Sequence, residues 1–229
     1  MADDTLPREE AQDSEKIIHI LLDSLALEGA LAVPSGAKGI VLFAHGTGSS
    51  RHSPRNNFVA REIRSAGVGT LLFDLLTEEE DVDRQARFDI DLLTERLRLA
   101  TRWIGENPET SALGVGYFGA STGAAAALKA AAELGPSILA VVSRGGRPDL
   151  AEPVLDRVES PTLLIVGERD DEVVELNRQA CKRLRGRKEL FLVPGATHLF
   201  EEPGTLEEVA RLATNWFRRY LSAASDSRK

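Results

Sequence analysis

Residues 113–134, LGVGYFGASTGAAAALKAAAEL, read as a buried β-strand that turns directly into an Ala-rich helix. The apolar run through Tyr117 and Phe118 is short and glycine-bounded, as in a strand covered on both faces. After Gly123 the alanines and leucines favour helix. The junction, Gly119-Ala120-Ser121-Thr122-Gly123, matches G-x-S-x-G in the setting where that pattern has chemical meaning, a serine on a sharp strand-to-helix turn. Small flanking residues let the backbone turn without side-chain collision. The helix N-terminus brings free N–H groups and partial positive charge toward the serine oxygen, which favours a developing oxyanion. Ser121 is the candidate nucleophile. A second pattern overlaps it, since Gly114, Gly116 and Gly119 satisfy the dinucleotide fingerprint G-x-G-x-x-G. That fingerprint must form the turn after a strand, whereas here it falls within the strand, and the next strand ends in Ser143-Arg144 without an acid.

Outward from this unit, strands and helices alternate. Upstream, IIHILLD (17–23) and LALEGALAVP (25–34) suggest an antiparallel pair, and IVLFAH (40–45) a doubly covered strand. A helix over 54–66 stops at Gly67, a strand covers 70–76, and an amphipathic helix covers 91–105. Between them lies the acidic stretch TEEEDVDRQARFDI, residues 77–90. Downstream come strands over 138–143, 161–167 and 189–195, and helices over 172–185 and 205–221. Trp216 falls on the apolar stripe of the last helix, a core position. This order predicts an α/β fold, a mostly parallel doubly wound sheet with helices on both faces and ligands at the carboxyl ends of the strands.

The 229 residues suit one domain over 17–222, with unstructured ends at 1–16 and 223–229. A net charge of −8 argues against nucleic-acid or anionic-membrane partners, which require clustered Lys and Arg. The single cysteine, Cys181, excludes an intramolecular disulfide and a thiolate metal cluster. No metal-binding motif stands out, and no cofactor is expected. The acidic N-terminus is neither a signal nor a transit peptide, and no apolar run is long enough to span a bilayer, so a cytoplasmic location is expected.

The remaining chemistry follows from chain order. The turn after IVLFAH, His45-Gly46-Thr47-Gly48-Ser49-Ser50, is placed to supply one oxyanion N–H, and the residue after the nucleophile supplies the other; the expected donors are Thr47 and Thr122. The base must follow a late strand, which selects His198 among His19, His45, His52 and His198; His52 competes but precedes the serine. The orienting acid lies after the strand ending at Gly167, where Asp170 is preferred and Asp171 and Glu168 remain alternatives. Arg51, Arg55, Arg144 and Arg147 fall near the active-face loops. Such arginines either grip a substrate carboxylate or pair with acids such as Asp149 or the 78–83 run. Arg51, His52 and Arg144 are the candidate substrate-binding residues.

With these residues placed, the chain resembles the dienelactone-hydrolase-like branch of the α/β-hydrolases over residues 25–221. The resemblance is carried by AHGTGSSRHSPRN (44–56), GYFGASTGAAAA (116–127), SRGGRPDL (143–150), VGERDDEVVELN (166–177) and GATHLFEEPG (195–204). It is also similar to the hydrolase domains fused to a phosphoribosyltransferase in some bacterial proteins. The resemblance implies an α/β-hydrolase fold and the triad Ser121, Asp170 and His198. Dienelactone hydrolases use a cysteine nucleophile, whereas Ser121 stands here, which directs the expectation toward esterase chemistry on small-molecule esters. Only residues 144–160 separate the strands ending near Ser143 and beginning near Pro161, too few for a cap domain, so an open site for short acyl groups is expected. An acyltransferase or perhydrolase using the same triad, and a non-catalytic binding module, are the alternatives.

Overall fold

The computed structural model describes residues 15–22 and 25–221, and one eight-stranded sheet organises them. Its strands are β1 (Lys16–Leu22), β2 (Leu25–Ala32), β3 (Gly39–Ala44), β4 (Gly69–Phe73), β5 (Gly114–Ala120), β6 (Ile138–Arg144), β7 (Thr162–Gly167) and β8 (Lys188–Val193). They lie in the order β1-β2-β4-β3-β5-β6-β7-β8. β1 pairs antiparallel with β2 and β2 with β4, and the pairings from β4 across to β8 are parallel. The expected antiparallel pair thus forms one edge of a mostly parallel sheet. Gly114, Gly116 and Gly119 all lie inside β5, so they form no turn that could cradle a pyrophosphate.

Alternation along β3 shows how the sheet is covered. Ile40, Leu42 and Ala44 pack into the core layer shared with α4 (Ile90–Glu106) and α5 (Thr122–Leu134). Val41 and Phe43 pack into the opposite layer with α1 (Pro54–Ser65) and α7 (Thr205–Leu221). Every β3 residue is buried, and each aliphatic side chain so placed contributes about 1.5–3 kcal/mol relative to exposure. On the α1/α7 side, the Phe43 and Phe118 rings meet at 4.9 Å between centroids and lock β3 to β5. Trp216 is buried as its stripe position predicts, with its indole N–H donating to the Pro161 carbonyl at 3.3 Å.

Local signals set the element ends. Ser53 caps α1 by accepting the Asn56 N–H, Pro54 fits the first turn, and the chain leaves through Gly67 at φ +80°. β4 ends at Phe73, earlier than the expected 70–76, because Asp74 turns away to bind Arg51 while Leu75 and Leu76 turn into the core. The acidic stretch folds into two short helices. It holds α2 (Glu78–Val82) and α3 (Arg84–Phe88), the first opened by a reciprocal capping box between Thr77 and Glu80. Between β6 and β7 runs a 3₁₀ segment, Pro148–Arg157, and no cap domain. α6 (Asp171–Arg183) leads to β8. The ends expected to be unstructured lie outside the described residues, apart from Glu15 and Lys16, and Lys16 already belongs to β1. Among the described residues no helix is long and apolar enough to cross a membrane.

Candidate active site

Ser121 sits between β5 and α5 with φ +51°, ψ −120°, a conformation that costs of order 1–3 kcal/mol for a residue with a β-carbon. It occupies the N-cap position of α5, yet its side chain makes no capping hydrogen bond, unlike that of Ser53. Among the described residues the hydroxyl thus has no hydrogen-bond partner, and the residue is half-buried. The motif glycines make the turn possible. A β-carbon on Gly119 would lie 2.4 Å from Ala124 Cα, and one on Gly123 would lie 2.1 Å from the Ala44 carbonyl oxygen. These contacts are to backbone and cannot relax cheaply. Gly123→Ala is expected to destabilise the fold by about 3 kcal/mol or more, since α5 must move off the end of β3. Chemical denaturation checks this, and a midpoint equal to that of the unsubstituted protein would contradict it.

Asp170 and His198 are brought together by the loops after β7 and β8. The loops are laced by three hydrogen bonds: Glu168 N–H to the Val193 carbonyl (3.0 Å), Arg169 N–H to the Ala196 carbonyl (2.9 Å) and Gly195 N–H to the Glu168 carboxylate (2.9 Å). Glu168, one alternative for the acid, is thereby used as a brace. Asp170 stands at the N-cap of α6 but makes no side-chain cap. Its Oδ2 instead lies 2.6 Å from His198 Nδ1. Asp171 falls in the first turn of α6. With Asp170 ionised, Nδ1 carries the proton and Nε2 is left as the acceptor. Asp170 is 17% exposed and His198 39%, so the acid is sheltered while the imidazole remains reachable.

The end of β6 and the loop after it touch both the serine turn and the histidine, while among the described residues no hydrogen bond links Ser121 Oγ to His198. Ser121 N–H donates to the Arg144 carbonyl, and the Ser121 carbonyl accepts from Arg147 N–H, both at 3.1 Å. Gly145, within that loop, faces the imidazole; a β-carbon there would lie 3.4 Å from His198 Cε1.

On the other side, Gly46 passes so close to Ser121 that a β-carbon would lie 3.0 Å from Ser121 Cβ. His45 braces this loop, its Nε2 accepting the Leu75 N–H at 3.1 Å and its Nδ1 donating to the Gly46 carbonyl at 3.1 Å. Burial lowers its pKa and keeps it neutral, as both contacts require. Among the described residues no acceptor takes the Thr122 N–H, whereas the Thr47 N–H donates to Thr122 Oγ1 at 2.9 Å.

Of the three candidate substrate-binding residues, Arg51 and His52 line one cavity and Arg144 lies outside its lining. Arg51 is committed elsewhere: its guanidinium pairs with Asp74 and Glu28, and its N–H donates to Asp74 Oδ1 at 2.8 Å. It ties the loop to β2 and to the residue that follows β4, while still lining the cavity beside His52. His52 is exposed and borders this cavity of about 430 Å³, also lined by His45, Ser49, Arg51, Asp74 and Asp81. Arg147 pairs with Asp149 and Arg55 with Glu201. Arg144 pairs with no carboxylate among the described residues. It is 8% exposed, its Nε and Nη1 are buried without partners, and its guanidinium lies 5.9 Å from the Phe200 ring centroid. Burial, and secondarily the nearby Arg55, lower its pKa to about 10. Phe200, whose backbone holds φ +55°, went unnoticed in the sequence because its role is tertiary.

Comparisons with known proteins agree with this architecture. Residues 27–223 match the Dienelactone hydrolase family. A dienelactone hydrolase structure from Anabaena variabilis is 54% identical, with a TM-score of 0.89, covering 91% of this chain and 98% of that one. Est1E from Butyrivibrio proteoclasticus, 16% identical, shares the fold with a TM-score of 0.76 over 89% of this chain and 98% of its own. Two curated Mycobacterium tuberculosis relatives bearing a provisional phosphoribosyl transferase name are 55% identical over 92% of this chain. This chain spans only 47% of their length. The chain belongs to the dienelactone hydrolase family.

Proposed function

We propose that the protein is a serine hydrolase that cleaves small ester-type substrates through an acyl-enzyme on Ser121. The observation that carries this reading is the 2.6 Å contact between Asp170 Oδ2 and His198 Nδ1, joined through Gly145 and Arg144 to a serine held in a strained elbow. His198 Nε2 takes the hydroxyl proton as Ser121 Oγ attacks the carbonyl, and Asp170 stabilises the imidazolium. Backbone N–H groups of Thr122 and Thr47 hold the oxyanion. His198 then protonates the departing alcohol and, in the second half, takes a proton from the water that frees the acid. The short Pro148–Arg157 connection supports small acyl groups, since it adds no cover above the strand ends. A panel of p-nitrophenyl esters tests this: turnover is expected to be highest for acetate and butyrate. Rates rising steadily to long-chain esters would contradict it.

Arg144 gives the site an anionic preference. A guanidinium left without a carboxylate in a buried place carries an unmet charge, and a substrate carboxylate supplies the missing partner. At neutral pH the group is charged in both the folded and unfolded states, and its lowered folded pKa means that burial destabilises the fold. That cost, of order 3 kcal/mol by the size of the shift, is present in full below about pH 10 and is relieved as pH rises toward the ordinary arginine value. Arg144→Met is therefore expected to raise the melting temperature. It is also expected to lower kcat/KM for monoanionic esters about 10- to 100-fold and for neutral esters less than about threefold. Equal losses on both ester classes would remove Arg144 from substrate binding.

A further inference from the structure

The Thr47 N–H, an expected oxyanion donor, already has an acceptor. It donates to Thr122 Oγ1 at 2.9 Å, and the two threonine hydroxyl oxygens are also 2.9 Å apart. A third contact fixes the direction of these bonds. The Arg87 carbonyl, which can only accept, lies 3.2 Å from Thr47 Oγ1 and takes its proton. The Thr122 hydroxyl therefore donates to Thr47 Oγ1, and a lone pair of Thr122 Oγ1 faces the Thr47 N–H. Thr122 is buried at the first position of α5, and its own N–H is the other expected donor.

The geometry points to the Thr122 hydroxyl as an internal stand-in for the oxyanion, one that holds the Thr47 N–H in the free protein and yields it as charge develops on the substrate; this rests on the serine-hydrolase reading above. A buried N–H without an acceptor is costly, so the stand-in keeps the donor and its loop in place before substrate arrives. A neutral carbonyl oxygen competes with the hydroxyl on nearly equal terms and gains little by displacing it. An oxyanion forms a charge-assisted hydrogen bond roughly twice as strong and displaces it. Rotation about the Thr122 Cα–Cβ bond suffices to clear the position, and the backbone of α5 stays where it is. The donor is thereby reserved for the tetrahedral state, so binding strengthens where it lowers the barrier.

Phenylboronic acid tests this, because Ser121 Oγ adds to boron, its proton passes to His198, and the adduct is a tetrahedral anion. Inhibition constants are measured for the unsubstituted protein, Thr122→Ser and Thr122→Ala, with kcat and KM on p-nitrophenyl acetate. In Thr122→Ala nothing has to be displaced. Its boronate inhibition constant and its KM are expected to fall about 3- to 10-fold, while Thr122→Ser keeps the boronate inhibition constant of the unsubstituted protein. If Thr122→Ala weakens boronate binding tenfold and serine restores it, the hydroxyl is a permanent brace. If boronate affinity and KM do not change, the Thr47 N–H does not serve the oxyanion. Either result overturns the inference and leaves Ser121 as nucleophile intact. An unsubstituted protein that binds boronate no better than Ser121→Ala fails the serine-hydrolase reading itself, and the stand-in with it. Should Thr122→Ala not fold, the Thr47 amide proton resonance of the unsubstituted protein decides: a downfield move on boronate binding supports exchange of acceptor, and a fixed resonance overturns it.

Discussion

Ser121→Ala is expected to lower kcat by about 10⁴- to 10⁶-fold, the loss seen when the nucleophile of a cooperating triad is removed. The substitution takes away one oxygen. Since the Ser121 hydroxyl makes no capping bond to α5, its removal strands no partner. The β-carbon that bears the strain at φ +51° is retained, so the turn is neither relieved nor worsened. Circular dichroism and the melting temperature are therefore expected to stay close to those of the unsubstituted protein while turnover disappears. An activity loss of less than about tenfold would place the nucleophile elsewhere.

Asp170→Asn is expected to lower kcat by about 10⁴-fold. The 2.6 Å contact to His198 Nδ1 survives in length, but an amide acts there in either of two ways. Its oxygen can still accept from Nδ1–H, now without a charge to stabilise the imidazolium. Alternatively, its NH₂ donates to Nδ1, which drives the proton onto Nε2 and removes the base. Asp171→Asn is the discriminating control. Asp171 lies in the first turn of α6, where a carboxylate interacts with the helix dipole and adds less than about 1 kcal/mol. Its kcat is expected to change less than about threefold. Should Asp171→Asn carry the large loss instead, the assignment of the acid reverses.

Much of this site could be read along the chain because its parts are sequence-local. The strand–serine–helix unit is continuous over residues 114–134, and the base and acid each follow a strand that its own apolar run reveals. What could not be read depends on which strands become neighbours. Arg51 finds Glu28 and Asp74 because β2 lies beside β4, an adjacency that strand order along the chain does not supply. Charge alone suggested a pairing with residues 78–83. For Arg144 the sequence left substrate binding and pairing with an acid both open; it packs against Phe200, more than fifty residues away, and among the described residues meets no acid. The contact of Thr47 with Thr122 spans 75 residues and turns on one hydroxyl rotamer. The helices α2 and α3 are a different case. Thr77 and Glu80 have capping-box spacing, a visible signal that the density of acidic residues around them concealed.

The central claim is that Ser121 is an activated nucleophile, and intact-mass spectrometry after exposure to a small fluorophosphonate tests it most directly. A single adduct on the folded unsubstituted protein, absent from Ser121→Ala and slowed in Asp170→Asn, is the predicted result. No adduct on the folded protein, or one that persists in Ser121→Ala, would contradict the account.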